Sequence, residues 1–351
     1  MALTDPSYRV VQWSTGTIGV RALRAVIEHP ELELAGVYVH GEDKAGRDAG
    51  ELCDLPSVGV VATNRVEDVV GSDADCVLYM PGAPDVDTLV ALLTAGVNVV
   101  TTCGLFHHLD SMDPAVRQRI QAACLDGGAS IHSTGSSPGF ITEAVPLVLT
   151  SIQRRLDFLA IDEYADLSRR PSPELLFDLM GFGRPMGPFE DFRADYLGAS
   201  FGPSLRLVAE AVGLPLDSVV ASGELAAAAR DTTIAAGELR AGTVAAQRIT
   251  VAGIRNGEPL IRFRASWYCT ADLEPAWELL DTGWHISVAG DAPLEVDLRM
   301  PIPLERMAEI SPAYTANRAV NAVSYVCAAP PGIVTTVDLP PFVPALGSPA
   351  L

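Results

Sequence analysis

The chain has 351 residues, a length typical of about two domains. Hydrophobic residues make up 48% and charged residues 19%, a composition typical of a globular protein. Its 44 acidic and 24 basic side chains give a net charge of −20, so we expect no binding to nucleic acid or to anionic membranes. The apolar runs are too short to cross a bilayer, and residues 1–6 lack the basic and apolar segments of a secretion signal. We therefore expect a cytoplasmic protein.

The six cysteines and six histidines do not form a metal-binding pattern. No two cysteines have the C-x-x-C spacing of a zinc or redox site. The one adjacent pair of histidines, His107 and His108, would point in different directions on a strand. We expect no metal.

The first 150 residues alternate short apolar segments with amphipathic ones. Strands are predicted at residues 8–13, 32–40, 76–80, 97–102 and 129–133, and helices at residues 20–28, 65–70, 85–95 and 114–126. This alternation predicts an α/β domain over residues 1–150, with a doubly wound parallel sheet of the Rossmann type. In such sheets ligands bind at the carboxyl ends of the strands.

The turn after the first predicted strand is similar to the dinucleotide-binding fingerprint G-x-G-x-x-G, with serine in place of the first glycine. Gly16 has no Cβ and would let a pyrophosphate approach the backbone, and Gly19 would let the helix pack against the strand. A tight strand–helix turn without a ligand is the alternative. The cofactor contacts predicted in this turn are Ser14, Thr15, Gly16, Thr17, Ile18 and Gly19.

Further loops follow the other predicted strands at the same edge of the sheet. Enzymes that use NAD usually have an acidic residue after the second strand. Here His40 and Lys44 stand near that place, and together with Arg21 they could face a 2′-phosphate. We therefore expect NADP, with NAD as the alternative. A serine-rich turn that only caps the next helix is the alternative for Ser136. The remaining predicted cofactor contacts are Pro81, Gly82, Cys103, Ser136 and Pro138.

The pattern changes after residue 150 and is typical of an α+β domain over residues 151–314 that contacts substrate and contributes a dimer surface. A strand is predicted at residues 156–163, a helix at residues 173–180, and hairpins over residues 243–268 and 284–300, the first with an Asn-Gly turn. Residues 315–337 are expected to return to the first domain as a helix and a strand. Residues 338–351 are expected to form a loose tail.

Several segments resemble the dihydrodipicolinate-reductase-like NAD(P)-binding proteins, which include 2,4-diaminopentanoate dehydrogenase and the native amine dehydrogenases. They are VQWSTGTIG (residues 11–19), SSPGF (136–140), SPELLFDLMGFG (172–183), TANRAVNA (315–322) and AAPPG (328–332). The resemblance implies a Rossmann domain, a second α+β domain, a homodimer and reversible NAD(P)-linked chemistry at a C–N bond.

One position departs from the amine-forming members of this group. In those members a glutamate that handles ammonia is expected directly after the Thr-Cys pair that ends a strand, but here Gly104 follows Cys103. Glycine carries neither charge nor a transferable proton. Either the alignment shifts, or another side chain has this role, or the protein does not use ammonia.

His107 and His108 are the candidate proton donors, because an imidazole can protonate nitrogen or oxygen as hydride reaches carbon. A solvated or helix-flanking position is the alternative. Candidate substrate contacts, for which a core or solvated position is the alternative, are Gly104, Phe140, Glu163, Tyr164, Met180 and Phe182.

The sequence thus predicts an NAD(P)H-dependent oxidoreductase acting on a small amine, imine or carbonyl compound. The alternatives are an imine or ketone reductase that uses no free ammonia, and an NAD(P)-binding protein without catalysis.

Overall fold

The structure, a computed structural model, describes residues 8–347. The chain divides into two compact units: the first comprises Met1–Phe140 and Pro312–Leu351, and the second comprises Ile141–Ser311. The sequence predicts these divisions at residues 150 and 314. Residues 1–7, which include the segment predicted to lack a secretion signal, and residues 348–351 of the predicted tail lie outside the described residues.

The strands and helices follow one another along the chain as listed here. The strands are β1 (Tyr8–Trp13), β2 (Leu32–Tyr38), β3 (Ala62–Thr63), β4 (Cys76–Tyr79), β5 (Asn98–Thr101), β6 (Ser130–Ser133), β7 (Leu156–Asp166), β8 (Ser218–Ala228), β9 (Thr232–Ile234), β10 (Gly237–Leu239), β11 (Val244–Arg255), β12 (Glu258–Tyr268), β13 (Leu273–Glu274), β14 (Gly283–Gly290), β15 (Leu294–Arg299) and β16 (Gly332–Ile333). The α-helices are α1 (Gly19–Ile27), α2 (Val66–Val70), α3 (Val86–Thr94), α4 (Pro114–Gly127), α5 (Val145–Thr150), α6 (Asp191–Ala211), α7 (Leu304–Ile310) and α8 (Pro312–Cys327).

The first unit is built on a parallel seven-stranded sheet in the order β16-β6-β5-β4-β1-β2-β3. Neighbouring residues of β1 pack in two different apolar clusters. Val11 packs in the cluster that contains Leu92 of α3. Val10 packs in the cluster that contains Val26 of α1 and Val323 of α8. Both faces of the sheet are therefore covered by helices. The predicted Rossmann-type sheet is confirmed.

The C-terminal segment completes this unit. Small residues of α8, among them Ala316 and Ala319, pack in the same apolar cluster as Val26 of α1. After α8 the chain adds β16 beside β6, with Gly332 opposite Ser130. The sheet thus depends on residues from both ends of the chain.

The second unit contains a mixed seven-stranded sheet in the order β13-β8-β11-β12-β7-β14-β15, in which only β7 and β12 pair in parallel. The predicted hairpin of β11 and β12 is present, and its turn residues Asn256 and Gly257 have φ of 53° and 81°. Two positive φ values are the geometry that an Asn-Gly hairpin turn requires. The predicted α+β class is confirmed.

The helix α6 was not predicted from the sequence, because Gly198, Gly202 and Pro203 lower its helix propensity. The glycines instead let the helix lie close to β8. A Cβ at position 198 would be 3.2 Å from Cβ of Ala221, and one at position 202 would be 3.3 Å from Val219 Cγ1. Closer packing between helix and sheet thus compensates for the loss of local propensity.

No helix in residues 8–347 is long and apolar enough to span a membrane. Within the same residues, no three side chains of the metal-binding types cluster at a distance suited to a metal ion.

Candidate functional site

The loops at the carboxyl edge of the first sheet are held together by backbone hydrogen bonds. The N–H of Ser14 donates to the Tyr38 carbonyl at 2.9 Å, and the N–H of Met80 donates to the Trp13 carbonyl at 3.2 Å. The N–H of Thr134 donates to the Thr101 carbonyl at 2.9 Å. The loops that follow β1, β2, β4, β5 and β6 thus meet at one edge, which we call the rim.

In the turn between β1 and α1, the two glycines have different environments. A Cβ on Gly19 would lie 2.1 Å from the Ser14 carbonyl oxygen, so any side chain there would collide with backbone. A Cβ on Gly16 would meet no atom within 4 Å, and both Gly16 and Thr17 are exposed. Gly19 is therefore required by the fold, whereas Gly16 leaves open space where the start of α1 can receive an anion.

The residues predicted after β2 do contact this turn. Nε2 of His40 is 3.1 Å from the Ser14 hydroxyl. Nζ of Lys44 donates to the carbonyl of Thr15 at 3.0 Å and to its hydroxyl at 3.2 Å. The protein thus places an imidazole and an ammonium group beside the turn.

The ends of β4, β5 and β6 are linked by hydroxyl and thiol groups. The Thr101 hydroxyl donates to the Tyr79 carbonyl at 2.7 Å, and the Ser133 hydroxyl donates to the Cys103 carbonyl at 2.6 Å. The Cys103 thiol donates to the Pro81 carbonyl at 3.5 Å. Burial raises the pKa of this thiol, so it stays protonated at neutral pH. Cys103 and Pro81 therefore form a neutral part of the rim.

The loop after β6 supplies further polar groups. The Ser136 hydroxyl is 2.7 Å from the Thr315 hydroxyl of α8, and this contact ties the loop to the helix. Oγ1 of Thr134 and Oγ of Ser137 are buried and have no hydrogen-bond partner within residues 8–347. Buried hydroxyls of this kind usually have a partner, so they suit the polar groups of a ligand.

His107 and His108 are only 2% and 5% exposed, so neither is solvated. They flank the short 3₁₀ turns Gly104–Phe106 and Leu109–Ser111 in the loop after β5. Nδ1 of His108 lies 2.8 Å from the Ser111 hydroxyl, which orients the ring. Gly104 is half-buried at the start of the first turn. The catalytic role of the histidines stays a prediction.

The structure separates the predicted substrate contacts of the second unit into two groups. Tyr164, Met180 and Phe182 belong to one apolar cluster. Glu163 instead accepts hydrogen bonds from the indoles of Trp284, at 2.8 Å, and Trp267, at 3.4 Å. Phe140 ends the first unit, with its ring centroid 5.9 Å from the Arg318 guanidinium carbon. Their contact with substrate stays a prediction.

Sequence reasoning missed several polar residues, two of them in or next to these loops and one in the second unit. Gln12 is fully buried in β1, and its amide donates to the Ser14 carbonyl at 2.9 Å. Thr315 holds Ser136 from α8. In the second unit, the fully buried carboxylate of Glu143 accepts from the Ser204 hydroxyl of α6. A polar residue within an apolar segment was the available signal for Gln12.

Two family models match the chain. The N-terminal model of dihydrodipicolinate reductase matches residues 10–120, and the C-terminal domain model of 2,4-diaminopentanoate dehydrogenase matches residues 196–348. An amine dehydrogenase of Streptomyces virginiae is 32% identical over 356 aligned residues, which cover 96% of this chain and 97% of that protein. The chain belongs to the amine dehydrogenase family of dihydrodipicolinate-reductase-like proteins. The resemblance stated from the sequence is confirmed.

A second relative and a solved structure are also similar to this chain. The 2,4-diaminopentanoate dehydrogenase of Acetoanaerobium sticklandii is 21% identical, covering 95% of this chain and 93% of that protein. The structure of an amine dehydrogenase from Mycobacterium smegmatis has the same fold, with a TM-score of 0.74, 19% identity and coverage of 96% and 97% of the two chains.

As a member of this family, the protein is an NAD(P)-dependent oxidoreductase of the amine dehydrogenase type. The rim fits a nicotinamide dinucleotide, because Gly16 leaves open space at the start of α1. The buried hydroxyls of Thr134 and Ser137, which have no hydrogen-bond partner within residues 8–347, can bind its polar groups.

We expect Gly16→Ala and Gly19→Ala to separate cofactor binding from folding. Gly16→Ala should raise the dissociation constant of the dinucleotide about tenfold or more, which is ~1.4 kcal/mol, and leave the free energy of unfolding unchanged. Gly19→Ala should lower the free energy of unfolding by about 1–3 kcal/mol through its collision with backbone. Calorimetric titration and urea unfolding measure the two effects. Similar effects of both variants on unfolding would contradict this assignment.

Proposed function

We propose that the protein catalyses the reversible NADP-linked conversion of a small primary amine to the corresponding imine or carbonyl compound. The observation that carries this proposal is the similarity to an amine dehydrogenase over nearly the whole length of both chains. The assembled rim of the first unit supports it.

When bound, the dinucleotide supplies or accepts hydride at its nicotinamide ring. The residues of the rim bind and orient it. The turn at Gly16 would hold the pyrophosphate through backbone N–H groups, and the buried hydroxyls of Thr134 and Ser137 would receive the polar groups of the nicotinamide.

Proton transfer is assigned to the loop after β5. Because the Ser111 hydroxyl orients the His108 ring, we assign His108 to exchange a proton with the substrate nitrogen or oxygen. His107, which is also buried, is the second candidate. Their burial keeps bulk water from competing for that proton.

Gly104 favours a second candidate function. The family resemblance leads us to expect an acidic residue at this position in the amine-forming members, so with Gly104 the enzyme would reduce an imine or ketone without recruiting free ammonia. The two functions differ in their requirement for ammonium.

The assay that tests the proposal follows NADPH oxidation with a panel of short ketones, such as cyclohexanone, with and without ammonium. We expect turnover that requires ammonium and yields the primary amine. Turnover with the ketone alone would support the second candidate function. NADPH binding with no turnover across amines, imines and ketones would contradict both and indicate a protein without catalysis.

The choice of NADP rests on the residues after β2. His40 and Lys44 contact the turn at Ser14 and Thr15, whereas Glu42 and Asp43 are exposed. In a protein with a net charge of −20, two groups that can carry positive charge beside this turn favour a 2′-phosphate.

We also propose a homodimer formed through the second sheet. Val219 and Ala221 contact α6, so Val220 lies on the opposite face of β8, where it is 51% exposed. On that same face Asp162 accepts hydrogen bonds from Arg262 and pairs with Arg264 at 2.7 Å. A face that carries both signs of charge can pair with the same face of a second copy about a two-fold axis.

Sedimentation velocity tests the dimer. We expect a dimer for the unchanged protein, and we expect Val220→Asp to raise its dissociation constant about tenfold or more by placing a charge in the interface. Phe192→Asp, on the exposed side of α6 where Phe192 is 62% exposed, is the matched control and should leave the dimer intact. A monomeric protein, or equal effects of both variants, would contradict the proposal.

We place the protein in the cytoplasm. All six cysteines are free thiols, as expected in a reducing compartment. Burial raises the pKa of Cys124 and of Cys269 to about 12, so both remain protonated and unreactive.

A further inference from the structure

Ser14 has an unusual backbone conformation. Its φ of 74° lies in the left-handed region, which glycine enters freely and serine only at a cost in free energy. The other non-glycine residues with positive φ within residues 8–347 are Asp54 and Asn256, which belong to the two types that tolerate it best. A conformation of this kind that the surrounding structure maintains points to a function of the side chain.

The surrounding structure holds the backbone of Ser14 in this conformation from several sides. Its N–H donates to the Tyr38 carbonyl, and its carbonyl accepts from the buried amide of Gln12 at 2.9 Å. The carbonyl also lies against Gly19, where a Cβ would be 2.1 Å away. These contacts involve only backbone atoms of Ser14, so glycine at this position would satisfy them equally.

The hydroxyl is what serine adds to this position. The Ser14 side chain is buried, and its Oγ lies 3.1 Å from Nε2 of the exposed His40. The imidazole also stands edge-on to the Tyr38 ring, with centroids 5.1 Å apart. The hydroxyl therefore fixes an imidazole just after β2, near where dinucleotide-binding enzymes recognise the adenosine ribose.

We propose that Ser14 is a specificity-determining residue that positions His40 for the 2′-phosphate and so sets the preference for NADPH over NADH. It acts through His40 and is a positioning residue. The proposal rests on the proposed function, since it concerns how the dinucleotide is chosen. It explains why a serine occupies a position where glycine would be less strained.

The test compares equilibrium dissociation constants for NADPH and NADH, measured by calorimetry on the full chain without substrate. Ser14→Gly keeps every backbone contact of this residue and removes its CH2OH side chain, and with it the hydroxyl that contacts His40. We expect it to raise the constant for NADPH about three- to tenfold more than that for NADH, the effect of losing one hydrogen bond. Thermal unfolding of the variant verifies that the turn remains folded.

His40→Ala and the double variant Ser14→Gly/His40→Ala are the controls. If Ser14 acts through His40, adding Ser14→Gly to His40→Ala should not change the ratio of the two constants further. An unchanged ratio in Ser14→Gly, or an equal change in both backgrounds, would overturn the proposal. The unchanged protein tests the cofactor choice separately, because a preference for NADH there would contradict NADP whatever Ser14 does.

Discussion

The close contact between the Ser14 carbonyl and Gly19 is the constraint on which the rim depends. It brings the start of α1 against the end of β1 and leaves no room for a side chain at position 19. The buried amide of Gln12 satisfies the same carbonyl from within the sheet. With the turn held in this way, Gly16 faces open space and the start of the helix is available to an anion. The other loops are then placed by hydrogen bonds to the neighbouring strands.

The net charge of the whole chain opposes phosphate binding at the rim. A protein with a net charge of −20 repels phosphate at long range, so binding has to come from groups close to the ligand. We propose that backbone N–H groups, His40 and Lys44 are those groups. His40 contacts Ser14 and Lys44 contacts Thr15. The helix α8 also contributes to the structure of the rim, because Thr315, far away in the sequence, holds Ser136 by a hydrogen bond.

Most of the first unit could be predicted from the sequence, because buried strands and amphipathic helices have distinct periodicities. The bounds predicted for β1 agree with the structure. His40 and Lys44 were predicted as cofactor contacts from their position after a strand, and in the structure both contact the turn after β1. The helix α6 was missed, since its glycines and proline serve packing against β8 rather than local propensity. The partners of Glu163 could not be foreseen, because Trp267 and Trp284 reach it from strands more than 100 residues away.

The central claim is that the loops of the rim bind a nicotinamide dinucleotide. Hydrogen–deuterium exchange of the full chain with and without NADPH tests it most directly, without requiring a substrate. The account predicts slower exchange on binding in the peptides that contain Ser14–Gly19, His40–Lys44 and Ser136–Pro138. Binding of NADPH that left exchange in these segments unchanged, or no binding at all, would contradict it.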